Sequence, residues 1–218
     1  PCSNVVNMDE RALTVAGVRT VGPDSIAIDV ETPDDFSARP GQFVKLTLDI
    51  DGDEESRFYT VSSPDVTDTF EMTVGIDPDG DVAPHLADLE AGDGLRISGP
   101  FGSDFYEGES RAILFAGGPG IGPAIGIAER AIDEGNDAAV VYRDDAPIHE
   151  DRLDALSDSG VSVHVLAGDA DLTDPAADVA GEGGQVFVYG FADFLDDTMA
   201  ALEAAGVDTE DAKVENFG

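Results

Sequence analysis

Cysteine is all but missing from this 218-residue chain, where Cys2 stands alone. A single thiol builds no disulfide framework, no thiolate zinc site and no cysteine-ligated iron–sulfur cluster within one chain. Histidine is nearly as scarce: His85, His149 and His164 are scattered without ligand spacing, so no metal site is expected. His85 and His164 lie in apolar-periodic stretches and read as packed or surface residues. His149, at a helix start among acids, reads as part of a solvated face. Basic residues are few as well, with Lys45 and Lys213 the only lysines beside nine arginines. Without a basic stripe to neutralise phosphates, a nucleic-acid partner is excluded. No apolar run approaches the ~18 residues of a membrane span, and the opening residues lack a signal-peptide pattern. A soluble, cytoplasmic protein is therefore expected. The 25 glycines and 12 prolines stay below the share that marks low complexity.

What the chain has in abundance is negative charge, 47 acidic against 11 basic residues, for a net charge of −36. The acids are spread between periodic apolar stretches rather than gathered in a tail, which argues against a disordered solvating segment. The pattern reads as a halophile-type acidic surface adapted to a molar-salt cytoplasm. At 1 M salt the Debye length is about 3 Å, so repulsion among surface carboxylates is largely screened. In dilute buffer the same charges push the compact state apart. The melting temperature is expected to fall steeply as KCl is diluted. A midpoint indifferent to KCl contradicts that reading.

Two textures follow one another. From Arg11 to about Ile97 the apolar residues mostly alternate in short runs: Leu13-Thr14-Val15, Ile26 to Val30, Phe43 to Leu48, Phe70 to Val74, Leu95 to Ile97. Turn signals such as Gly22-Pro23, Pro40-Gly41 and Asp51-Gly52 punctuate them, as in an antiparallel sandwich or barrel. Val82 to Glu90 fits a short helix. Beyond Pro100-Phe101-Gly102, strand-like runs (Ala112–Ala116, Ala138–Tyr142, Val161–Leu166, Gln185–Tyr189, Ala212–Val214) alternate with helical stretches (Ala124–Glu134, Ile148–Asp158, Asp174–Ala180, Ala192–Ala205). That alternation predicts a doubly wound α/β unit on a parallel sheet with right-handed crossovers. Two domains are expected, 9–104 and 110–218, joined by the polar segment 103–110. Met8-Asp9 offers an alternative start that leaves 1–7 as a loose extension.

The chemistry concentrates in a few segments. In Arg57-Phe58-Tyr59-Thr60-Val61-Ser62-Ser63, a strand projects Arg57, Tyr59 and Val61 to one face, Thr60 and Ser62 to the other. A guanidinium holds pyrophosphate bidentately and a tyrosine ring covers a flat heterocycle, so the run suits a ligand with both. It resembles the Arg-x-Tyr-Ser/Thr-x-x-Ser flavin motif of the ferredoxin–NADP reductase family. The resemblance implies flavin phosphate on Arg57, the isoalloxazine on Tyr59, Thr60 near flavin N5, and Ser62 and Ser63 within the motif. Gly80-Asp81-Val82-Ala83, leading to Gly92-Asp93 and Gly99-Pro100-Phe101-Gly102, is similar to the family's phosphate segment and closing turns, and assigns Gly80, Val82 and Ala83 to the cofactor. A helix N-terminus suits phosphate, although Ala83 stands where the family often has a hydroxyl.

Gly117-Gly118-Pro119-Gly120-Ile121-Gly122-Pro123 joins the first strand of the alternating region to a helix, where glycines allow tight turning and close approach to pyrophosphate. It resembles the family's Gly-Gly-Thr-Gly-Ile-Ala-Pro and assigns Gly117, Gly118, Gly120, Ile121 and Pro123 to NADH or NADPH, with Pro119 replacing the threonine. Val186 to Phe191 looks like the family's Val-Cys-Gly-Pro segment, with Tyr189 in the cysteine position and Gly190 beside it. Tyr189 either packs against the nicotinamide or fills its space. At the end of the chain, Glu215 and Phe217 match the family's acidic residue and flavin-facing aromatic; a frayed tail is the plain alternative. Arg143 and Asp144-Asp145 follow the second strand, where acids favour NAD and arginines NADP; plain surface is the other reading.

The family's order of segments covers nearly the whole chain from residue 11. It implies an enzyme that passes a hydride from NAD(P)H to flavin, FAD ahead of FMN, with Tyr59, Thr60, Tyr189 and Glu215 at the reacting centre. Electrons then leave for a separate acceptor such as a ferredoxin. The rival reading is a non-enzymatic flavin-binding electron-transfer subunit or redox sensor that no longer uses nicotinamide, motivated by Pro119 and Tyr189.

Overall fold

Alternating apolar residues and tight turns give the first half six antiparallel strands. The computed structural model describes residues 10–218, so Cys2 and the Met8-Asp9 start lie outside the described residues. The strands are β1 (Arg11–Gly22), β2 (Ser25–Glu31), β3 (Phe43–Ile50), β4 (Asp53–Thr60), β5 (Thr69–Gly75) and β6 (Gly94–Phe101), in the order β4-β3-β6-β1-β2-β5. The edges β4 and β5 meet where Val61 bridges Met72, curling the sheet into a barrel. Val44 and Leu46 of β3, Ile28 of β2, Phe70 and Met72 of β5, and Leu95 and Ile97 of β6 fill its interior with almost no exposure. Each such side chain contributes roughly 1.5–3 kcal/mol of burial. Helix α1 (Ala83–Ala87) is shorter than the predicted 82–90 and seats Leu86 in the same core.

The second half carries β7 (Arg111–Gly117), α2 (Ile121–Asp133), β8 (Asp137–Arg143), α3 (Glu150–Asp158), β9 (Ser162–Leu166), α4 (Thr173–Ala180), β10 (Gln185–Gly190), α5 (Ala192–Ala204) and β11 (Lys213–Asn216). The parallel sheet runs β11-β10-β7-β8-β9, with the order reversing between β7 and β10. The apolar run of β7 is explained by burial on both faces. Ala112, Leu114 and Ala116 face one core and Ile113 and Phe115 the other. Two-domain architecture of this kind matches the fold class expected from the sequence. Among the described residues, no helix is long and apolar enough to cross a membrane.

Three local expectations are corrected. The helix after the glycine segment begins at Ile121 rather than Ala124, because Gly118–Gly120 form a 3-10 turn that runs directly into it. Pro119 and Pro123 are tolerated there since N–H groups in the first turn lack helical partners. β1 extends to Gly22, past the bulge at Val15/Gly17, although Arg19 and Thr20 break the apolar signal. His149 is buried instead of solvated: its backbone N–H donates to the Val21 carbonyl (2.8 Å) and its Nε2 meets Thr73 Oγ1 (2.9 Å). Burial, aided by Arg152 and Arg19, pushes the imidazole down to about 3, so it is neutral in the fold. The polar segment 103–110 between the two halves is held on both sides. Tyr106 is buried, its N–H donates to the Pro40 carbonyl (3.0 Å), and Lys213 Nζ holds the Phe105 carbonyl (2.6 Å) and Glu109 (2.7 Å).

Candidate functional site

Four chain segments converge on one cleft: the end of β4, the end of β5 with the residues after it, the turn after β7, and the pair formed by the end of β10 and the C-terminal tail. The cavity they enclose measures about 370 Å³ and is lined by Tyr59, Thr60, Pro119, Pro123, Phe191 and Phe217 among others. That is the size and mostly apolar character of a small-molecule site. Tyr59 is half-buried, and burial pushes its phenol up to about 12, so it presents a neutral ring. Phe217 is held by its backbone N–H, which donates to the Gly190 carbonyl (3.0 Å).

The polar feature of the cleft joins the two halves. Thr60 Oγ1 donates to Glu215 Oε1 at 2.9 Å. β11 places Glu215 opposite Tyr189, one strand from the switch point. Burial pushes the Glu215 carboxyl up to about 7, against the opposing pull of the Thr60 hydrogen bond. The arrangement is therefore a mostly apolar slot whose Thr60 hydroxyl is bonded to a carboxyl outside the cavity lining, one that gains or loses a proton near neutral pH.

The other residues expected at the site divide. Gly118 supplies the turn after β7 at φ +56, and at Gly117 and Gly120 a Cβ would meet Phe194 at 2.6 Å and the Tyr189 carbonyl at 2.3 Å. Ile121 is buried against the sheet. Gly190 ends β10, with Phe194 close enough to forbid a side chain there. Arg57 is exposed on β4, its Nη1 on Glu55 (3.2 Å) and the Ser56 carbonyl (2.8 Å), outside the cavity lining. Gly80, Val82 and Ala83 also lie outside it, and Val82 packs into the barrel core.

Ser62 and Ser63 turn out to be internal. Ser62 Oγ accepts from the Thr73 N–H and Ser63 Oγ from the Glu71 N–H, both at 3.1 Å, so they stitch the β4–β5 corner. Tyr189 neither lines the cleft nor fills it: the ring is fully buried and its hydroxyl points to the Asp104 carbonyl (3.5 Å) beneath Gly41. Arg143 is occupied by Asp197 (2.8 Å) and the Ala170 carbonyl (3.2 Å), with its guanidinium over Phe194. Asp144 accepts from the nearby Ala146 N–H, and Asp145 from the N–H of Gly168, 23 residues on. Among the described residues, no His, Cys, Asp or Glu cluster has the makings of a metal site.

Sequence reasoning missed the scaffold under the cleft. On α2, a Cβ at Gly122 would lie 2.3 Å from Thr73 Oγ1 and 2.5 Å from Ser62 Oγ, and one at Gly126 2.7 Å from the Ser62 carbonyl. This glycine face lets the helix touch the end of the flavin-motif strand. Beside it, Arg152 of α3 binds Glu129 of α2 (2.6 Å), Glu71 of β5 (2.9 Å) and the Ser62 carbonyl (2.9 Å), while Arg19 also pairs with Glu71. The i, i+4 glycine spacing in α2 was the one sequence sign of it. Phe191 was missed too, because its segment drew attention to Tyr189.

A barrel followed by a doubly wound α/β unit, with a mostly apolar cleft at their junction, defines the class of fold. Residues 13–106 match the family described as Oxidoreductase FAD-binding domain. The chain is 31% identical over 197 residues to NADH-cytochrome b5 reductase 1 of Ajellomyces capsulatus, covering 82% of this chain and 60% of that protein. It is 38% identical over 104 residues to the glycine betaine monooxygenase reductase subunit of Chromohalobacter salexigens, 45% of this chain. The chain spans less than a third of the length of that subunit. In structure it superposes on a ferredoxin NADP+ reductase from Neisseria gonorrhoeae with bound FAD and NADP, at a TM-score of 0.80 and 20% identity, covering 96% and 99% of the two chains. The first half of the chain therefore matches an FAD-binding family, and the whole chain shares the two-domain fold of that reductase.

Proposed function

We propose that this chain is an NAD(P)H-dependent flavoprotein reductase that takes a hydride from NADH or NADPH onto FAD and sends the electrons to a separate acceptor, such as a ferredoxin. The observation that carries the reading is the Thr60–Glu215 hydrogen bond at a slot walled by Tyr59 and Phe217. The residues present fit FAD: two aromatic rings to flank a flat heterocycle, and a hydroxyl to address its polar edge. FAD, when bound, supplies the hydride acceptance and the onward release of electrons.

The chain's own part is positional and acid–base. Tyr59 and Phe217 exclude water and hold a ring plane. Gly117, Gly118, Gly120 and Gly190 keep backbone close at the switch point, where α/β sheets of this kind bind dinucleotides. Thr60 passes a proton toward Glu215 in the direction their hydrogen bond already points. Arg57 is exposed and held only by Glu55 and its neighbour's carbonyl, so it is free to turn to a phosphate. An Arg57→Ala variant is expected to lose most of its flavin on gel filtration in high salt, by loss of about 1.5–3 kcal/mol of charge-assisted bonding. Flavin content equal to wild type contradicts the assignment. The acidic surface fits work in a molar-salt cytoplasm.

Pro119, standing in the cavity lining, favours the second reading of a flavin protein that does not use nicotinamide. Ferricyanide reduction by FAD-loaded protein, with NADH and with NADPH in molar KCl, separates the two. Turnover with either donor supports the reductase. Flavin-loaded protein inert to both supports the electron-transfer subunit or sensor.

A further inference from the structure

One 2′-phosphate separates NADPH from NADH, and a dinucleotide site accepts it with a free arginine or favours the bare ribose with an acid. Between Arg143 and Lys213 the sequence holds no lysine and only one further arginine, Arg152. Arg152 is spent on Glu129, Glu71 and the Ser62 carbonyl. That leaves Arg143, which ends β8 directly beside Gly117 of β7. The fold disarms it. Its Nη2 donates to Asp197 of α5 (2.8 Å), its Nη1 to the Ala170 carbonyl (3.2 Å), and its guanidinium lies 5.1 Å from the centre of the Phe194 ring. Only 12% of the side chain is exposed. The next residue, Asp144, stands at the glycine turn instead. Its Oδ2 is 3.9 Å from where a Cβ on Gly118 would sit. The Tyr142 hydroxyl (3.2 Å) and the Ala146 N–H (2.9 Å) both donate to its carboxylate and fix its direction. A carboxylate has about four acceptor positions, so two remain for a ligand.

We propose that this chain selects NADH over NADPH: Asp144 accepts the ribose 2′-hydroxyl, and Asp197 is a positioning residue that holds Arg143 away from a 2′-phosphate. The proposal deepens the reductase reading and rests on it. A pyrophosphate at the glycine turn after β7 leaves the adenosine toward the carboxyl end of β8, the neighbouring strand. A ribose hydroxyl there finds an acceptor. A phosphate dianion finds a carboxylate beside an arginine whose two Nη atoms are already committed. At 1 M salt the Debye length is about 3 Å. The diffuse charge of the acidic surface is then screened, and only groups in hydrogen-bond contact discriminate. Asp144 and Arg143 are such groups.

The test is calorimetric titration of FAD-loaded protein in molar KCl with ADP-ribose and with 2′-phospho-ADP-ribose. The two probes differ only at the 2′ position and carry no nicotinamide, so binding is read without turnover. Wild type is expected to bind ADP-ribose about 12- to 150-fold more tightly, the equivalent of about 1.5–3 kcal/mol for one hydrogen bond to a charged group. Asp144→Asn keeps the shape and removes the charge, and is expected to narrow that ratio about ten-fold. Asp197→Ala is expected to narrow it by a similar factor through tighter binding of the phosphorylated probe. Adding Arg143→Ala to Asp197→Ala is expected to cancel the gain, which assigns it to the released guanidinium rather than to one surface charge fewer. Equal affinities in wild type, a preference for the phosphorylated probe, or binding of neither probe overturns the proposal. An Asp197→Ala ratio equal to wild type overturns the role of Asp197. The reductase reading is decided separately, by bleaching of the bound FAD with NADH or NADPH. A preference for ADP-ribose in protein that neither donor bleaches keeps Asp144 as the ribose acceptor and ends the hydride transfer. Bleaching by NADPH in preference to NADH keeps the reductase and overturns the selection.

Discussion

Replacing Arg152 with alanine is expected to lower the melting temperature by roughly 5–15 °C at constant salt. Its side chain is only 21% exposed and its fork reaches three groups at once: Glu129, Glu71 and the Ser62 carbonyl. Glu71 is 6% exposed. Removing one partner of a buried pair is costly because the other charge stays behind without compensation, typically 3–5 kcal/mol. Arg19 continues to neutralise Glu71, so the net loss is nearer about 2–4 kcal/mol. In a chain of this length each kcal/mol moves the midpoint by about 2–4 °C. Arg152→Lys, which keeps the charge but not the fork, is expected to fall between. His149 beside it gives the interface a pH dependence. A histidine lowered from 6.5 to about 3 contributes stability that is full above pH 6.5 and lost as pH falls toward 3. A midpoint within 1–2 °C (roughly the effect of a surface substitution) in Arg152→Ala contradicts the account of this interface.

Glu215→Gln is expected to slow turnover with a one-electron acceptor about 100-fold and to flatten its pH profile. Delivering electrons one at a time from a two-electron carrier requires a proton to leave the cleft. Thr60 Oγ1 already donates toward Glu215 Oε1, so the carboxylate is the accepting form. With the carboxyl pushed up to about 7, that form predominates above pH 7 and turnover rises as pH passes through it. General acid–base groups typically supply 10²–10⁴-fold, and the lower end suits a partly solvated relay. Thr60→Val is expected to reproduce the loss, since it removes the donor and keeps the shape. Stability moves the opposite way. A carboxyl raised from 4.5 to about 7 contributes stability present below pH 4.5 and lost as pH rises through 7. At pH 8 the glutamine variant therefore melts no lower than wild type while turning over more slowly, which separates the role from a folding defect. A Glu215→Gln profile that still climbs through pH 7 sinks the relay.

Local pattern was enough for most of the architecture. Alternation and Asp51-Gly52 place β3 and β4 as a hairpin, and the apolar run at 112–116 marks a strand buried on both faces. Tyr59, Thr60, Glu215 and Phe217 were readable because motif residues are tied to chain order, although 155 positions separate Thr60 from Glu215. Three-dimensional crowding was not readable. Whether Ser62 faces a ligand or the Thr73 N–H depends on how β4 crosses to β5, and whether Tyr189 reaches the cleft depends on Gly41. The polar pattern around His149 and Arg152 suggested solvent because in so acidic a chain every helix start looks solvated. Only the approach of α3 to Glu71 and Thr73 buries them.

The central claim is that the Tyr59–Phe217 slot holds a flavin reducible by a nicotinamide dinucleotide. The most direct measurement is an anaerobic absorption spectrum of protein loaded with FAD in molar KCl, taken before and after NADH and then NADPH. The account predicts a flavin spectrum that bleaches with at least one donor. A flavin spectrum that neither donor bleaches, or protein that takes up neither FAD nor FMN, contradicts it.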